Sequence, residues 1–397
     1  KVGMTAREYF GIEDDTLIEV DITPNRADAT SHYGVARDLA AYFKAHNIPY
    51  ELSRPSVDDF KADNNELPIA IEVLNTERCP RYASVSIKGA KVEESPKWLK
   101  DALQVIGLRP INNVVDATNY ILHAFGQPLH AFDADKIKGG KVVVGTVEEG
   151  RKFTTLDEVE RTLSAEDLMI CNAEEPMCIG GVFGGLESGV TENTTNIFIE
   201  SAYFNPVSIR KTARRHGLNT DASFRFERGI DPHNTIYVLK YAAMLIKELT
   251  GGSIASEITD IYPTPLNNFE VDITLNKIHT LIGKEIETEQ IERIFDGLEM
   301  KIVERTADGY KLEVPAYRVD VQRDVDVIED ILRIYGYNNV ELSDRLTSNL
   351  SFSKGADSTK WENLISEQLT ANGFNEILNN SLTKLAYYEG LTSYTAE

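Results

Sequence analysis

The sequence predicts a multidomain α+β protein. Strand-like stretches (Tyr82–Ile87, Lys141–Val147, Asn196–Ile199) are mixed with helical ones (Pro96–Ile106, Pro206–Arg215, Thr235–Leu249). They lack the regular βαβ alternation of a doubly wound sheet. Two stretches without an apolar period interrupt the chain: 53–67, and the segment carrying Pro263 and Pro265. The chain has 397 residues, and at roughly 100–200 residues per domain two to four domains are expected.

The elements follow in order. Thr16–Ile22 (TLIEVDI) alternates like a strand. Pro24–Asp28 is turn chemistry, and Ser31 is a candidate N-cap for a helix with Val35, Leu39 and Phe43 on one face. Asn47 and Pro49 end that helix. Residues 1–50 therefore form a small α+β unit, 51–76 a linker, and 77–250 a mixed module whose loops are rich in Gly and Asn. Gly180–Gly189 (GGVFGGLESG) permits positive φ and close backbone approach. After the second linker, 267–342 reads helix, helix, hairpin, helix. Thr274 and Thr288 are candidate N-caps, Ile291, Ile294, Phe295 and Leu298 share a helix face, and Asp308-Gly309 marks the hairpin. This is a winged-helix-like pattern. A further helix starts at Ser358. The first residue is Lys and the last seven show no helix stop, which reads as a fragment of a longer chain.

Composition excludes several classes. A hydrophobic content of 42% is enough for packed cores. No apolar run reaches the roughly 18 residues of a membrane span. Cys79, Cys171 and Cys178 cannot build a disulfide framework and suit a reducing cytoplasm. A net charge of −22 argues against nucleic-acid binding by the whole surface. There is no P-loop, HExxH, CxxC, EF-hand or GxSxG pattern.

Four runs have residues that could do chemistry. Asn112–Asp133 contains Asp116, Thr118, Asn119, His123, His130 and Asp133. His130 follows Gly-Gln-Pro, which places it on a constrained loop. There it either orients a water or substrate or satisfies backbone groups as a structural histidine. Glu200 ends the apolar run Ile197–Ile199 and is either an acceptor in a pocket or a strand-end charge facing water. Ile209–Gly229 carries Arg210, Lys211, Arg214, Arg215, Arg225 and Arg228 against Asp221 and Glu227, with Phe224 and Phe226 interleaved. This is either a nucleic-acid backbone contact or a solvated helix face. Asp320, Asp326, Glu329 and Asp330 offer oxygen donors suited to Mg²⁺, the last three on one helix face. The alternative is acids favourably placed in a first helical turn.

Taken together and in this order, the segments DITPNRADATSHYGVARDLAA, RPINNVVDATNYILHAFGQPLHAFD, IGGVFGG, IFIESAYFNPVSIR, TDASFRFERGIDP and YRVDVQRDVDVIEDILRIYGY resemble the bacterial phenylalanyl-tRNA synthetase β-subunit family. They span Asp21 to Tyr337. The resemblance implies part of a B1 domain (1–50), the B3/B4 editing domain (77–250), the B5 domain (267–342) and the start of a truncated B6/B7 catalytic-like domain (343–397). It implies hydrolysis of tyrosine wrongly attached to tRNA(Phe), inside a class II aminoacyl-tRNA synthetase. The implied editing residues are His130, Glu200, Thr220 and Ala222, with Thr118, Asn119 and Gly181 lining the pocket. The implied metal ligands are Asp320, Asp326, Glu329 and Asp330, holding Mg²⁺ shared with the α subunit. Arg210, Arg214 and Arg215 are candidate tRNA contacts. The implied partners are the α subunit, in an α2β2 heterotetramer, and tRNA(Phe), in the cytoplasm. ATP is used by the complex and is not expected to bind this chain. The alternative is a non-catalytic scaffold or tRNA-binding part of the same complex. DNA binding is not expected, because the last helix of the winged-helix-like module is acidic (Asp324, Asp326, Glu329, Asp330). Neither is a membrane.

Overall fold

A computed structural model describes residues 2–11, 15–342 and 357–391. Two compact units are present, Lys1–Glu341 and Leu342–Glu397.

The first unit is built around the strand Asn196–Tyr203. It pairs antiparallel with Arg81–Lys88 on one side and with Leu129–Asp133 on the other. The short strands Ser253–Ile254 and Thr259–Ile261 also pair with Arg81–Lys88. Strand side chains alternate between faces, so Ala83, Val85 and Ile87 share one face with Ala131, Ile197 and Ile199. The helices Asn113–Phe125 and Thr235–Thr250 cover that face through Val114, Ala117, Ile121, Leu239 and Ala243. The opposite face carries Tyr82, Phe132 and Phe198. It shares a core with a second sheet, ordered Ala70–Val73, Lys141–Thr146, Leu168–Cys171, Pro176–Ile179, Phe183–Gly184. In that sheet only the Ala70–Val73 pairing with Lys141–Thr146 is parallel.

The same unit contains a three-stranded sheet, Phe269–Thr274, Gly309–Val314 and Lys301–Arg305, with the helices Leu275–Ile282, Thr288–Gly297 and Asp324–Tyr335. Asp308-Gly309 forms the expected hairpin, and Ile291, Ile294, Phe295 and Leu298 are all buried. Thr274 caps its helix by accepting from the Lys277 amide at 3.2 Å. Thr288 does not cap. It is the first helical residue, after a Glu287 whose side chain makes no cap bond.

The helix His32–Ala45 begins at Ser31, whose hydroxyl accepts from the Gly34 amide at 3.0 Å. Its buried face differs from the expected one. Leu39 is 51% exposed, and Ala41 and Ala45 join the core of the three-stranded module. The physical reason is close helix packing. A Cβ on Gly297 would sit 3.0 Å from Cα of Ala41, so only small residues fit at this crossing. The expected strand Thr16–Ile22 pairs with nothing among the described residues, and Ile18 is 75% exposed. Alternation alone does not make a strand without a partner edge.

In the second unit the helix Ser358–Ala371 is capped by Asp357, and its large apolar side chains Trp361, Leu364 and Ile365 are exposed. The expectations for 343–356 and 392–397 fall outside the described residues. No helix among the described residues is long and apolar enough to cross a membrane.

Gly297→Leu is expected to force apart the helices His32–Ala45 and Thr288–Gly297. Overpacking of this kind costs about 1–3 kcal/mol, to be read from the urea midpoint.

Candidate active site

Strand register positions the central pair. Glu200 lies opposite His130 on one neighbouring strand and opposite Ser84 on the other. Directly opposed residues of antiparallel strands project from the same face. Here that face is the one turned toward the second sheet, as the flanking Phe132, Phe198 and Ala202 show by sharing its core. Tyr82, opposite Ala202, is the diagonal neighbour of Glu200, and its hydroxyl donates to Oε2 of Glu200 at 2.7 Å.

Two expectations are corrected. His130 is not on a loop but inside the strand Leu129–Asp133, because Pro128, which cannot donate to a ladder, precedes the first pair. Glu200 is not at a strand end, since the ladder continues to Tyr203.

The His130 ring meets the Phe132 ring edge-on, with centroids 4.4 Å apart. Its Nε2 is shut off from water and has no hydrogen-bond partner among the described residues. A Cβ on Gly184 would lie 3.0 Å from His130 Cε1, so glycine is what lets that turn approach the imidazole. Burial disfavours the imidazolium and brings the His130 pKa down to about 4. Glu200 is 5% exposed. Burial pushes its carboxyl up to about 7, and the Tyr82 hydrogen bond pulls the other way. The Tyr82 phenol and the Cys79 and Cys178 thiols are driven well up by burial and by the Glu200 charge. They remain protonated at neutral pH, so neither thiol is an activated nucleophile.

Thr220 and Ala222 connect to this pair through the glycine turn. Gly181 has φ +69°, and a Cβ there would sit 2.7 Å from the Phe204 ring and 2.9 Å from Ile209, so this position requires glycine. The next carbonyl, of Val182, accepts from the Thr220 hydroxyl at 2.9 Å. Thr220 also caps the helix Asp221–Phe226, and part-buried Ala222 packs from its first turn onto the shared core. Thr118 and Asn119 lie elsewhere. Their helix covers the opposite face of the central sheet, the Thr118 hydroxyl bonds to its own helix at Val115, and no hydrogen bond among the described residues joins either residue to His130 or Glu200.

Tyr82 and Ser84 were missed by sequence reasoning. The stretch RYASVSIK alternates polar or aromatic with apolar residues, which was a usable signal for their shared face. Their partner across the sheet was not readable from it.

The basic run is only partly available to a ligand. Arg225 and Phe226 are buried. Arg215 is paired with Glu166 at 2.5 Å and with buried Asp167, so its charge is compensated within the chain. Arg210 and Arg214 line an open hollow of about 490 Å³ with Arg228, Asn25 and Asp320.

The four carboxylates do not converge as a metal centre. Asp330 is buried and paired with Arg318 at 2.7 Å and with Arg333 at 3.1 Å. Asp320 accepts from Arg318 and Asn25. Asp326 folds back onto the Arg323 amide and guanidinium, while Glu329 points to solvent. No group of three or more His, Cys, Asp or Glu among the described residues is placed to hold a metal ion. Sharing a helix face was not enough, because arginines already compensate these charges. Within this chain alone the four carboxylates do not form a closed set of oxygen donors for Mg²⁺.

The chain is similar to known proteins. A B3/4 domain model matches residues 78–251, and a tRNA synthetase B5 domain model matches 271–337. The phenylalanine–tRNA ligase beta subunit of Bacteroides fragilis is 62% identical over 396 residues, covering 100% of this chain and 48% of that one. That of Bacteroides thetaiotaomicron is 62% identical over 395 residues, covering 99% and 48%. That of Porphyromonas gingivalis is 55% identical over 398 residues, covering 100% and 48%. The chain spans about half the length of the curated relatives it matches. A solved N-terminal fragment of the phenylalanyl-tRNA synthetase beta subunit from Pyrococcus horikoshii is a distant likeness, with TM-score 0.40 and 20% identity over 79% of this chain and 85% of that one. Over the residues it spans, the chain belongs to the phenylalanine–tRNA ligase β-subunit family.

The two buried groups pull stability in opposite directions with pH. Folded Glu200 keeps its proton to about 7 against a usual 4.5, so in that window the unfolded chain binds fewer protons and stability falls as pH rises. Folded His130 loses its proton at about 4 against a usual 6.5, so there the unfolded chain binds more protons and stability falls as pH drops. Relative to the parent, Glu200→Gln is expected to gain about 3 kcal/mol between acid and neutral pH. His130→Gln is expected to gain by a similar amount as pH falls below its usual range. Urea unfolding across pH measures both.

Proposed function

We propose that this chain is the part of a phenylalanine–tRNA ligase β subunit that hydrolyses tyrosine wrongly esterified to tRNA(Phe). ATP-dependent ligation would take place on a partner α subunit in an α2β2 assembly in the cytoplasm. The observation that supports this reading best is the cross-strand pairing of His130 with Glu200 on a buried face.

The chemistry follows from the two groups. Tyrosine and phenylalanine differ by one hydroxyl. A site that merely tolerates that hydroxyl discriminates weakly, whereas one built to bond it leaves an acceptor unpaired when phenylalanine binds. Ionised Glu200 is that acceptor. In the hydrolysis a water oxygen attacks the ester carbonyl, the carbonyl–ribose oxygen bond breaks, and the water's protons pass to the two products. His130 is neutral near pH 7, and once the Gly184 turn moves off the ring its Nε2, unpartnered among the described residues, accepts a hydrogen bond from the attacking water or from a ribose hydroxyl. With a pKa of about 4 it is a weak base, which suits orienting the water better than removing its proton outright. A serine nucleophile is disfavoured. Ser84 lies two strands from His130, roughly 9–10 Å at ordinary strand spacing, with Glu200 between them. The terminal ribose hydroxyls are the natural second group to orient the water. Arg210 and Arg214 would face the phosphates. No step is routed through a metal.

A non-catalytic scaffold is the second reading. One observation favours it: four hollows among the described residues are lined by other side chains, not by His130 or Glu200.

Deacylation assays separate the two. Glu200→Ala is expected to slow hydrolysis of tyrosyl-tRNA by about tenfold to a hundredfold, the worth of a hydrogen bond to a charged group, and to spare a mischarged ester lacking the hydroxyl. His130→Ala is expected to slow both. Equal losses with Glu200→Ala remove that residue from phenol recognition, and an inactive parent chain supports the scaffold.

A further inference from the structure

The Glu200 carboxylate makes one hydrogen bond among the described residues, and the donor is itself a phenol. Tyr82 is 0% exposed, and its hydroxyl lies 2.7 Å from Oε2 of Glu200. The contact is fixed from both ends. Tyr82 and Glu200 sit on paired strands in a set register, and the Tyr82 ring is part of the core between the two sheets. No hydrogen bond among the described residues reaches Oε1.

We infer that Tyr82 is the positioning residue of this site: its hydroxyl holds Oε2 of Glu200 in place and leaves Oε1 as the oxygen that receives a substrate's phenol. This rests on the reading of Glu200 as the phenol acceptor. A carboxyl group in a dry site is the stronger acceptor for a substrate hydroxyl when it is ionised and correctly turned. Tyr82 supplies both conditions. It locks the side-chain torsion, and as a donor it favours the charged form against burial.

The other groups around Glu200 cannot substitute. Ser84 and His130 flank it across the sheet, Cys79 lies close to Tyr82, and Cys178 approaches from the second sheet. At neutral pH His130 is uncharged and both thiols are protonated. None is a cation, so the pH response of the site is that of Glu200 as set by Tyr82.

Tyr82→Phe in the full chain tests this. Deacylation of tyrosyl-tRNA and of a non-hydroxylated aminoacyl ester of the same tRNA is followed from about pH 6 to about pH 9. Preference for the tyrosyl ester is expected to rise with pH in the parent. In Tyr82→Phe the midpoint is expected to move up by about one pH unit, so that preference is lost at neutral pH and recovered in alkali, with the non-hydroxylated ester unaffected. An unmoved midpoint, or parallel losses on both esters, overturns the inference. A second measurement covers a variant that fails to fold and a parent that hydrolyses neither ester. Infrared titration of the Glu200 carboxyl, referenced to Glu200→Gln, is compared between ordinary protein and protein grown on 3-fluorotyrosine. The stronger phenol donor is expected to lower the Glu200 midpoint, and an unchanged midpoint overturns the role of Tyr82. A parent inactive on both esters, with the infrared shift present, overturns the hydrolytic function and leaves the Tyr82–Glu200 coupling standing.

Discussion

The structure depends on the register of one strand. Asn196–Tyr203 is paired along both edges, and each pair sorts its side chains between a helix-covered face and a sheet-covered face. A slip of one residue would turn Ile197 and Ile199 out of the core under the helices and put Glu200 there instead. The register is therefore held by burial on both faces at once. This is why a carboxylate and an imidazole seventy positions apart can be kept on one face without any direct bond between them.

That constraint determines the electrostatics. Both groups sit where water is scarce, and both shift toward neutrality, Glu200 upward and His130 downward. A salt bridge between them would have quenched both. Instead the Glu200 carboxylate is partnered by a phenol, and His130 Nε2 has no hydrogen-bond partner among the described residues, so each keeps capacity for a ligand. The glycine turn completes the arrangement. Gly181 and Gly184 bring backbone where side chains would collide, and Val182 between them ties Thr220 to the same neighbourhood.

The sequence was most legible where the signal is local. Ser31 and Thr274 cap helices through their own hydroxyls, and Asp308-Gly309 turns a hairpin, because each needs only neighbours a few residues away. It misled where the outcome depends on a distant partner. Thr16–Ile22 alternates but finds no edge among the described residues. Leu39 yields to alanines because Gly297 draws its helix close. The ion pair of Asp330 with Arg318 is announced by no spacing in the sequence. For the candidate site, pattern singled out His130 and Glu200 with two readings open for each, and the resemblance supplied their roles and the TDAS loop. Tyr82 escaped notice because its importance lies in register, and register is not written in any one strand.

A double-mutant cycle on His130 and Glu200 tests the central claim most directly, with tyrosyl-tRNA deacylation in the full chain as the readout. If both side chains act on one bound ester, their losses are coupled by about 0.5–3 kcal/mol, as for opposed neighbours in one site. A coupling indistinguishable from zero would contradict the shared site.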